Sequence, residues 1–220
     1  MNQEIERKFR LTKEQADEFL KRYIGNLSDS FEIVQFYLVN REKQRLTVDG
    51  NGWEISVNDA KITIPLLDGE IEKINELKLI EESNLIDFPG SACRFRFKMD
   101  IVKNEVKKIF TYKIDSEDKL FEFEYEISDD EKTDIESLFS EINSKISKVR
   151  QVYSVGSLNY ELDLFHNLDI IIVEIEFKCQ DDANNFVPDF EYDYEATNVR
   201  SLSNLQLSLI IESAIESKQS

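Results

Sequence analysis

The first charged residues of the chain are spaced so that they could share one face of a β-strand. Successive strand side chains point to opposite faces, which places Glu4, Glu6 and Lys8 on one face and Ile5 and Phe9 on the other. Two carboxylates about 7 Å apart on one face repel each other unless a positive group lies between them. Because carboxylate oxygens are also preferred ligands of Mg²⁺ and Mn²⁺, this row is either an exposed charged face or part of a metal site.

The same alternation recurs along the chain, with charges of one sign on one strand face and apolar side chains on the other. The basic rows are Arg94 with Arg96, Lys113, and Lys148 with Arg150. The acidic rows are Glu122 with Glu124 and Glu126, Glu161 with Asp163, and Glu174 with Glu176. An ordinary β-sandwich mixes polar residues on its solvent face, whereas these rows are segregated by sign from strand to strand.

Segregated rows favour a site for a metal–phosphate complex. If the strands close into a barrel with their apolar faces outward, the charged faces line an interior that needs water, metal and counter-charge. Arginine and lysine bind phosphate oxygens, and glutamates hold divalent cations that bridge phosphates. The alternative interpretation is a set of surface salt-bridge ladders, each of which contributes little to stability.

The bulk composition is that of an acidic globular protein. The 220 residues are 41% hydrophobic and carry a formal net charge of −18, which opposes binding to long nucleic acids. No apolar stretch is long enough to cross a bilayer, and we expect no signal peptide. Cys93 and Cys179 form no CxxC pair, which indicates a reducing, cytoplasmic setting. The single histidine, His166, is interpreted as a strand end without a chemical role.

Periodicity and turn signals predict one domain of mostly antiparallel strands with a few helices. Strands are predicted at 4–11, around 32–41, and at 93–100, 107–114, 120–128, 148–155, 159–165 and 170–177. Helices are predicted at 13–24 behind a capping box of Thr12 and Gln15, after Asp129 or Asp130, near 180–186, and at 201–216 with Ile210 in an apolar stripe.

The segment at about 45–90 is interpreted as an insertion. The run from Asp49 to Gly52 predicts a hairpin tip, and the stretches KITIPL (61–66) and INELKLI (74–80) predict short strands. Trp53 is interpreted as a packed hairpin residue, with a base-stacking platform as the less favoured alternative.

Taken in order, these segments resemble the CYTH superfamily, the triphosphate tunnel metalloenzymes. Glu4-Ile5-Glu6-Arg7-Lys8 is similar to the ExExK signature of that family, and VQFYL (34–38) resembles its second strand, which carries a tyrosine, here Tyr37. The stretches CRFRF, FTYKI, FEFEYEI, SKVRQVY, YELDLFHN and IIIVEIEF resemble its later strands, and YEATNVRSLSN resembles its C-terminal segment. The 45–90 segment and Phe36, where a glycine is common, depart from the family pattern and bear on substrate choice more than on fold.

The resemblance implies an α+β fold, a closed eight-stranded antiparallel β-barrel with flanking helices, whose tunnel holds a triphosphate. It implies that Mg²⁺ or Mn²⁺ is held by Glu4, Glu6, Asp163, Glu174, Glu176 and Glu195. It implies that the substrate is bound by Lys8, Arg94, Arg96, Lys113, Lys148, Arg150, Tyr37 and Arg200. The residues it implies in catalysis are Glu4, Glu6, Lys8, Glu122 and Glu124.

The implied activity is metal-dependent hydrolysis of the terminal phosphate of inorganic triphosphate or of a nucleoside or thiamine triphosphate. Three alternatives stay open, namely a class IV adenylate cyclase, an RNA 5′-triphosphatase and a non-catalytic module that binds polyphosphate or nucleotide. We expect a small-molecule substrate and a cytoplasmic protein that binds no membrane, and a homodimer is left open.

Overall fold

The computed structural model describes residues 5–40, 42–88, 91–116, 119–127, 138–139, 142, 144–166 and 168–219. Its strands are β1 (Ile5–Leu11), β2 (Leu27–Tyr37), β3 (Gln44–Val48), β4 (Gly52–Val57), β5 (Ala60–Pro65), β6 (Ser91–Asp100), β7 (Glu105–Ser116), β8 (Lys119–Glu126), β9 (Lys145–Val155), β10 (Leu158–Phe165), β11 (Ile171–Phe177) and β12 (Tyr194–Glu195). Its helices are α1 (Lys13–Tyr23), α2 (Glu70–Glu76), α3 (Gln180–Asn185) and α4 (Asn204–Gln219).

The architecture is α+β, with mostly antiparallel strands and few helices, as predicted. Nine strands are hydrogen-bonded in the order β12-β1-β11-β10-β9-β2-β6-β7-β8, and β3-β4-β5 form a second sheet. Over the described residues the strand order ends at β12 on one side and at β8 on the other. The resemblance implies a different arrangement, in which eight strands close into a barrel. The ninth strand is the two-residue β12, which pairs with β1 and is held there by bonds from Ala196 N to Lys8 O (2.7 Å) and from Asp193 N to Arg10 O (2.9 Å).

The chain divides into two compact units. Unit 1 comprises Met1–Val34, Phe97–Val106 and Ile146–Leu207. Unit 2 comprises Gln35–Arg96, Lys107–Lys145 and Ser208–Ser220.

The core of unit 1 forms where the apolar faces of β1, β9, β10 and β11 pack against α1. Phe19 and Tyr23 of α1 contact Tyr160 of β10, and Phe19 also meets Tyr153 of β9 edge-on at 5.5 Å. The predicted capping box is confirmed, because Thr12 Oγ1 accepts from Gln15 N while Gln15 Oε1 accepts from Thr12 N. The helix thus covers the apolar strand faces of unit 1 and leaves the alternate, charged faces on the opposite side of the same strands.

The core of unit 2 is built around Trp53, which is fully buried, as its interpretation as a packed residue predicts. Its ring contacts Phe110 and Tyr112 of β7 and Phe123 and Tyr125 of β8. These four rings occupy the apolar faces of the β7–β8 hairpin, so the charged faces of that hairpin point the other way.

The predicted 45–90 segment contains β3–β5, α2 and two 3₁₀ turns. The predicted strand KITIPL corresponds to β5, and the predicted hairpin tip joins β3 to β4. The predicted strand INELKLI is wrong, since α2 and a 3₁₀ turn (Leu79–Glu81) occupy it. Glu70, buried at the start of α2, accepts a hydrogen bond from Leu67 N at 2.9 Å, and the Glu- and Lys-rich sequence that follows favours a helix.

Of the two further helix predictions, one lies mostly outside the described residues and the other differs from the structure in its start and in one stripe residue. The helix predicted after Asp129 or Asp130 lies mostly outside the described residues, although Leu138, Phe139 and Ile142 are buried. The C-terminal helix begins at Asn204 rather than at 201, and Ile210, predicted in its apolar stripe, is exposed. No helix in the described part of the chain is both long and apolar enough to cross a membrane.

Candidate functional site

Strand register gathers the predicted charges of unit 1 on one face. Lys8 is opposite Glu174, Glu174 is opposite Glu161, and Asp163 is opposite Arg150. Because directly opposed residues share a face, four neighbouring strands present a single charged surface. We call it the unit 1 charged face, and its members are Glu6, Lys8, Lys148, Arg150, Glu161, Asp163, Glu174 and Glu176.

Lys8 supplies the positive group that the acidic row of β1 requires. Its Nζ lies 2.9 Å from Glu6 Oε1 and 3.0 Å from Glu174 Oε1. Burial alone would lower the pKa of Lys8, but the charges of Glu174 and Glu6 outweigh it and raise the pKa well above its usual value. Glu4, the first residue of the predicted row, lies outside the described residues.

Arg150 joins three carboxylates at the centre of the unit 1 charged face. Its guanidinium bonds Asp163 through Nε (2.7 Å) and Nη2 (2.6 Å), reaches Glu174 Oε2 at 2.5 Å, and also contacts Glu161. Burial raises the pKa of Glu174, but Arg150, Lys148 and Lys8 lower it overall. Burial also raises the pKa of Glu161, and the charge of Arg150 offsets this rise only in part. Arg150 is therefore fully engaged with the protein's own anions.

Lys148 and Asp163 form a buried pair beside Arg150. Both side chains are 1% exposed, and Lys148 Nζ bonds Asp163 Oδ2. Burial, with repulsion from Arg150, lowers the pKa of Lys148. Asp163 therefore pairs with two cations, Lys148 and Arg150.

The carboxylates best placed for a cation are the like-charged pairs across strands. Glu6 is directly opposite Glu176, and Glu161 is opposite Glu174. Arg150 bonds both members of the Glu161–Glu174 pair. In the Glu6–Glu176 pair, Lys8 bonds Glu6. Opposed like charges are destabilising without a cation, and an all-oxygen donor set suits Mg²⁺ or Mn²⁺. Among the described residues, no three or more acidic, His or Cys side chains are arranged so that they could hold a metal ion.

Unit 2 carries its own charged face on β6, β7 and β8. Lys113 is opposite Glu122, with Nζ 3.1 Å from Glu122 Oε1, and Thr111 is opposite Glu124 and donates to it at 3.4 Å. Arg94 Nη2 lies 3.8 Å from Glu122 Oε1, beyond hydrogen-bond distance. Within the described part of the chain, the buried Nε of Arg94 has no hydrogen-bond partner, which is rare for a charged donor in a folded protein.

Arg96 and Tyr37, both predicted to bind substrate, meet through a residue that the sequence did not single out. Gln35 is 1% exposed and lies between them. With its amide oriented to satisfy its neighbours, its oxygen accepts from Arg96 Nε (2.8 Å) and Nη2 (3.2 Å), and its nitrogen donates to Tyr37 Oη (3.2 Å). The sequence offered two signals for Gln35, which are its place in the Gln-x-Tyr-Leu segment that resembles the family's second strand and the alternation that puts it on the same strand face as Tyr37.

Glu195 and Arg200 lie apart from the unit 1 charged face. Glu195 receives two hydrogen bonds from Arg7, at 2.9 and 2.7 Å, which lower the pKa of Glu195. Arg7 belongs to the opposite face of β1 and also donates to the carbonyls of Ala183 and Phe186, so it fastens α3 and β12 to β1. A cavity of about 510 Å³ adjoins Arg7 and Glu195. Arg200 is exposed in a 3₁₀ turn.

The solved structures to which this chain is similar are CYTH-type proteins, the family that its motifs resemble. The inorganic triphosphatase NE1496 is 19% identical over 95% of this chain and 96% of its own, with a TM-score of 0.48. The PH1012 protein from Pyrococcus horikoshii OT3 is 18% identical over 81% and 80%, with a TM-score of 0.43. The putative adenylyl cyclase HpAC1 from Hippeastrum, described as having a dominant triphosphatase activity, is 15% identical over 83% of both chains, with a TM-score of 0.44.

No protein-family model and no curated protein matches the chain. Identities below 20% and TM-scores below 0.5 assign neither an activity nor a substrate to it.

Proposed function

We propose that the chain is a metal-dependent phosphohydrolase that removes the terminal phosphate of inorganic triphosphate or of a nucleoside or thiamine triphosphate. The proposal rests on the sign-segregated strand faces and on their ordered resemblance to the CYTH motifs. The proposal includes the closed eight-stranded tunnel that the resemblance implies. The two free cysteines, Cys93 and Cys179, fit a reducing compartment, so we place the enzyme in the cytoplasm.

The observation that carries the proposal is the unpartnered Nε of Arg94. A buried guanidinium donor without an acceptor costs about 1–3 kcal/mol or more, which a phosphate oxygen would offset. Arg96 lies on β6 and Lys113 lies on the neighbouring strand β7. Together with Arg94 of β6 they provide three cations for phosphate oxygens.

The carboxylates of the unit 1 charged face are the proposed ligands of the metal ion. Glu6, Glu174 and Glu176 would hold the cation, together with Glu4, which precedes Glu6 in the predicted acidic row. Bound Mg²⁺ or Mn²⁺ would neutralise phosphate charge and lower the pKa of an attacking water. Lys8 keeps Glu6 and Glu174 oriented, and Glu122 or a carboxylate of β11 would accept the proton.

A non-catalytic module that binds polyphosphate is the second candidate. It is favoured by one observation, which is that Asp163, Glu161 and Glu174 are already bonded to basic side chains. Under this alternative the cations of unit 2 bind phosphate and no phosphorus–oxygen bond is cleaved.

A phosphate-release panel with the purified chain tests the proposal. Tripolyphosphate, ATP, GTP, thiamine triphosphate and 5′-triphosphorylated RNA are each supplied with Mg²⁺ or Mn²⁺, and cyclic AMP is measured in parallel. Orthophosphate from at least one small triphosphate supports the proposal. Pyrophosphate together with cyclic AMP would identify a cyclase, and binding without turnover would identify the module.

Matched variants separate site residues from ordinary surface charges. Lys113→Met removes a proposed phosphate ligand, whereas Lys107→Met removes a lysine of the same strand that pairs with exposed Glu126. We expect orders of magnitude less phosphate release from the first variant and unchanged release from the second.

A further inference from the structure

Gln35 is a buried polar side chain whose position none of the proposed chemistry requires. It lies in unit 2 at 1% exposure, next to Tyr37, which is 3% exposed. A buried amide is costly unless its oxygen and nitrogen are both bonded. The partners it has are the Nε edge of Arg96 and the hydroxyl of Tyr37.

The contact to Arg96 is a two-pronged hydrogen bond. The amide oxygen accepts from Nε at 2.8 Å and from Nη2 at 3.2 Å, so it fixes the plane of the guanidinium as well as its position. The amide nitrogen donates to Tyr37 Oη at 3.2 Å, so the other end of the amide is bonded as well. Tyr37 therefore anchors the amide of Gln35 at one end, and Gln35 holds the guanidinium of Arg96 at the other.

The partner that β2 supplies to Arg96 is a neutral amide. Lys8, Lys148, Arg150 and Lys113 are all bonded to carboxylates, which cancel much of their charge. An amide oxygen fixes the same guanidinium geometry without adding a negative charge beside it. This is the kind of support that a cation needs if it is to attract an anion.

We propose that Gln35, held by Tyr37, is a positioning residue that pre-orients the Arg96 guanidinium for a phosphate oxygen of the substrate. The inference rests on the proposed function in taking a phosphate chain as the ligand. It adds that affinity depends on a neutral amide beside Arg96, so that a carboxylate at position 35 is as harmful as no hydrogen-bonding group at all.

The test compares three substitutions in the full-length chain by titration calorimetry with tripolyphosphate. Gln35→Met keeps the side-chain length and removes both hydrogen bonds, whereas Gln35→Glu keeps the acceptor and adds a charge. Tyr37→Phe keeps the ring and removes the hydroxyl. We expect Gln35→Met and Gln35→Glu each to weaken binding about tenfold, and Tyr37→Phe to weaken it about threefold.

A purely structural role is separated by two further measurements. If Gln35 acts through Arg96, Gln35→Met has no additional effect on affinity in an Arg96→Met background, so the double-mutant cycle is strongly non-additive. The Arg96 Nε–H resonance in NMR spectra should also exchange with water faster in Gln35→Met. Unchanged affinity in Gln35→Met, or an equal loss in both backgrounds, would overturn the inference.

The outcome for Gln35 is distinguishable from that for the proposed function. Wild-type protein that binds tripolyphosphate but releases no phosphate rejects the hydrolase, while the Gln35 variants still decide the inference by their affinity. Phosphate release with wild-type affinity in Gln35→Met keeps the hydrolase and rejects the inference. Wild-type protein that binds no tripolyphosphate rejects both.

Discussion

Among the described residues, the buried Nε of Arg94 has no acceptor, which distinguishes Arg94 from Arg96, Lys113 and Arg150. We expect Arg94→Met to weaken tripolyphosphate binding more than tenfold while leaving the free energy of unfolding unchanged or slightly higher. The reason is that methionine fills similar space and removes a desolvated donor. Calorimetry and urea unfolding of the same preparation measure the two quantities. A loss of stability together with unchanged affinity would mean that Arg94 is a packing residue.

Arg150 has the opposite character, since it bonds Asp163, Glu161 and Glu174 within the unit 1 charged face. We expect Arg150→Met to lower the free energy of unfolding by about 3–5 kcal/mol, because it removes the cation bonded to Glu161 and one of the cations bonded to Asp163 and to Glu174. Arg10→Met is the matched control, because Arg10 lies on a strand of the same sheet, β1, but pairs with half-exposed Asp193, and this change should cost about 1 kcal/mol or less. Equal losses in urea unfolding would show that the Arg150 network is not a central element of the fold.

At the scale of elements, strand alternation explains how much of the site could be predicted. Period-two patterning places residues such as Glu6 and Lys8 on one face, and so the two faces of β1, β9, β10 and β11 were predictable. The opposed partners were not, neither Lys8 with Glu174 nor Gln35 with Arg96, because cross-strand partners depend on register. The strand β12 was not predictable either, since two residues carry no periodic signal.

The docking of α1 on the sheet predicts a specific response to alkaline pH. Tyr160 of β10 donates to Asp189 at 3.3 Å, and burial, followed by the charge of Asp189, raises the pKa of Tyr160 to about 12. The unfolded tyrosine titrates near pH 10, so stability that is present below pH 10 is lost as pH rises towards 12. Tyr160→Phe should flatten this loss in alkaline urea titrations, and the same change at exposed Tyr194 should not. An unchanged alkaline slope in Tyr160→Phe would contradict the assignment.

At the scale of the whole molecule, the net charge of −18 sets which phosphate compounds can approach. We expect a 5′-triphosphorylated RNA of about 20 nucleotides to bind more weakly than tripolyphosphate, and added salt to narrow the difference by screening the repulsion. Fluorescence anisotropy at two ionic strengths measures this. RNA binding that is tighter than tripolyphosphate binding and falls steeply with salt would indicate a basic track that the composition does not predict.

Product analysis of tripolyphosphate incubated with wild-type protein and Mg²⁺ or Mn²⁺ is the sharpest test of the proposed hydrolysis. We expect equal amounts of orthophosphate and pyrophosphate, formed only with the metal and strongly reduced in Arg94→Met. Intact tripolyphosphate, ATP, GTP and thiamine triphosphate after prolonged incubation with either metal would contradict it.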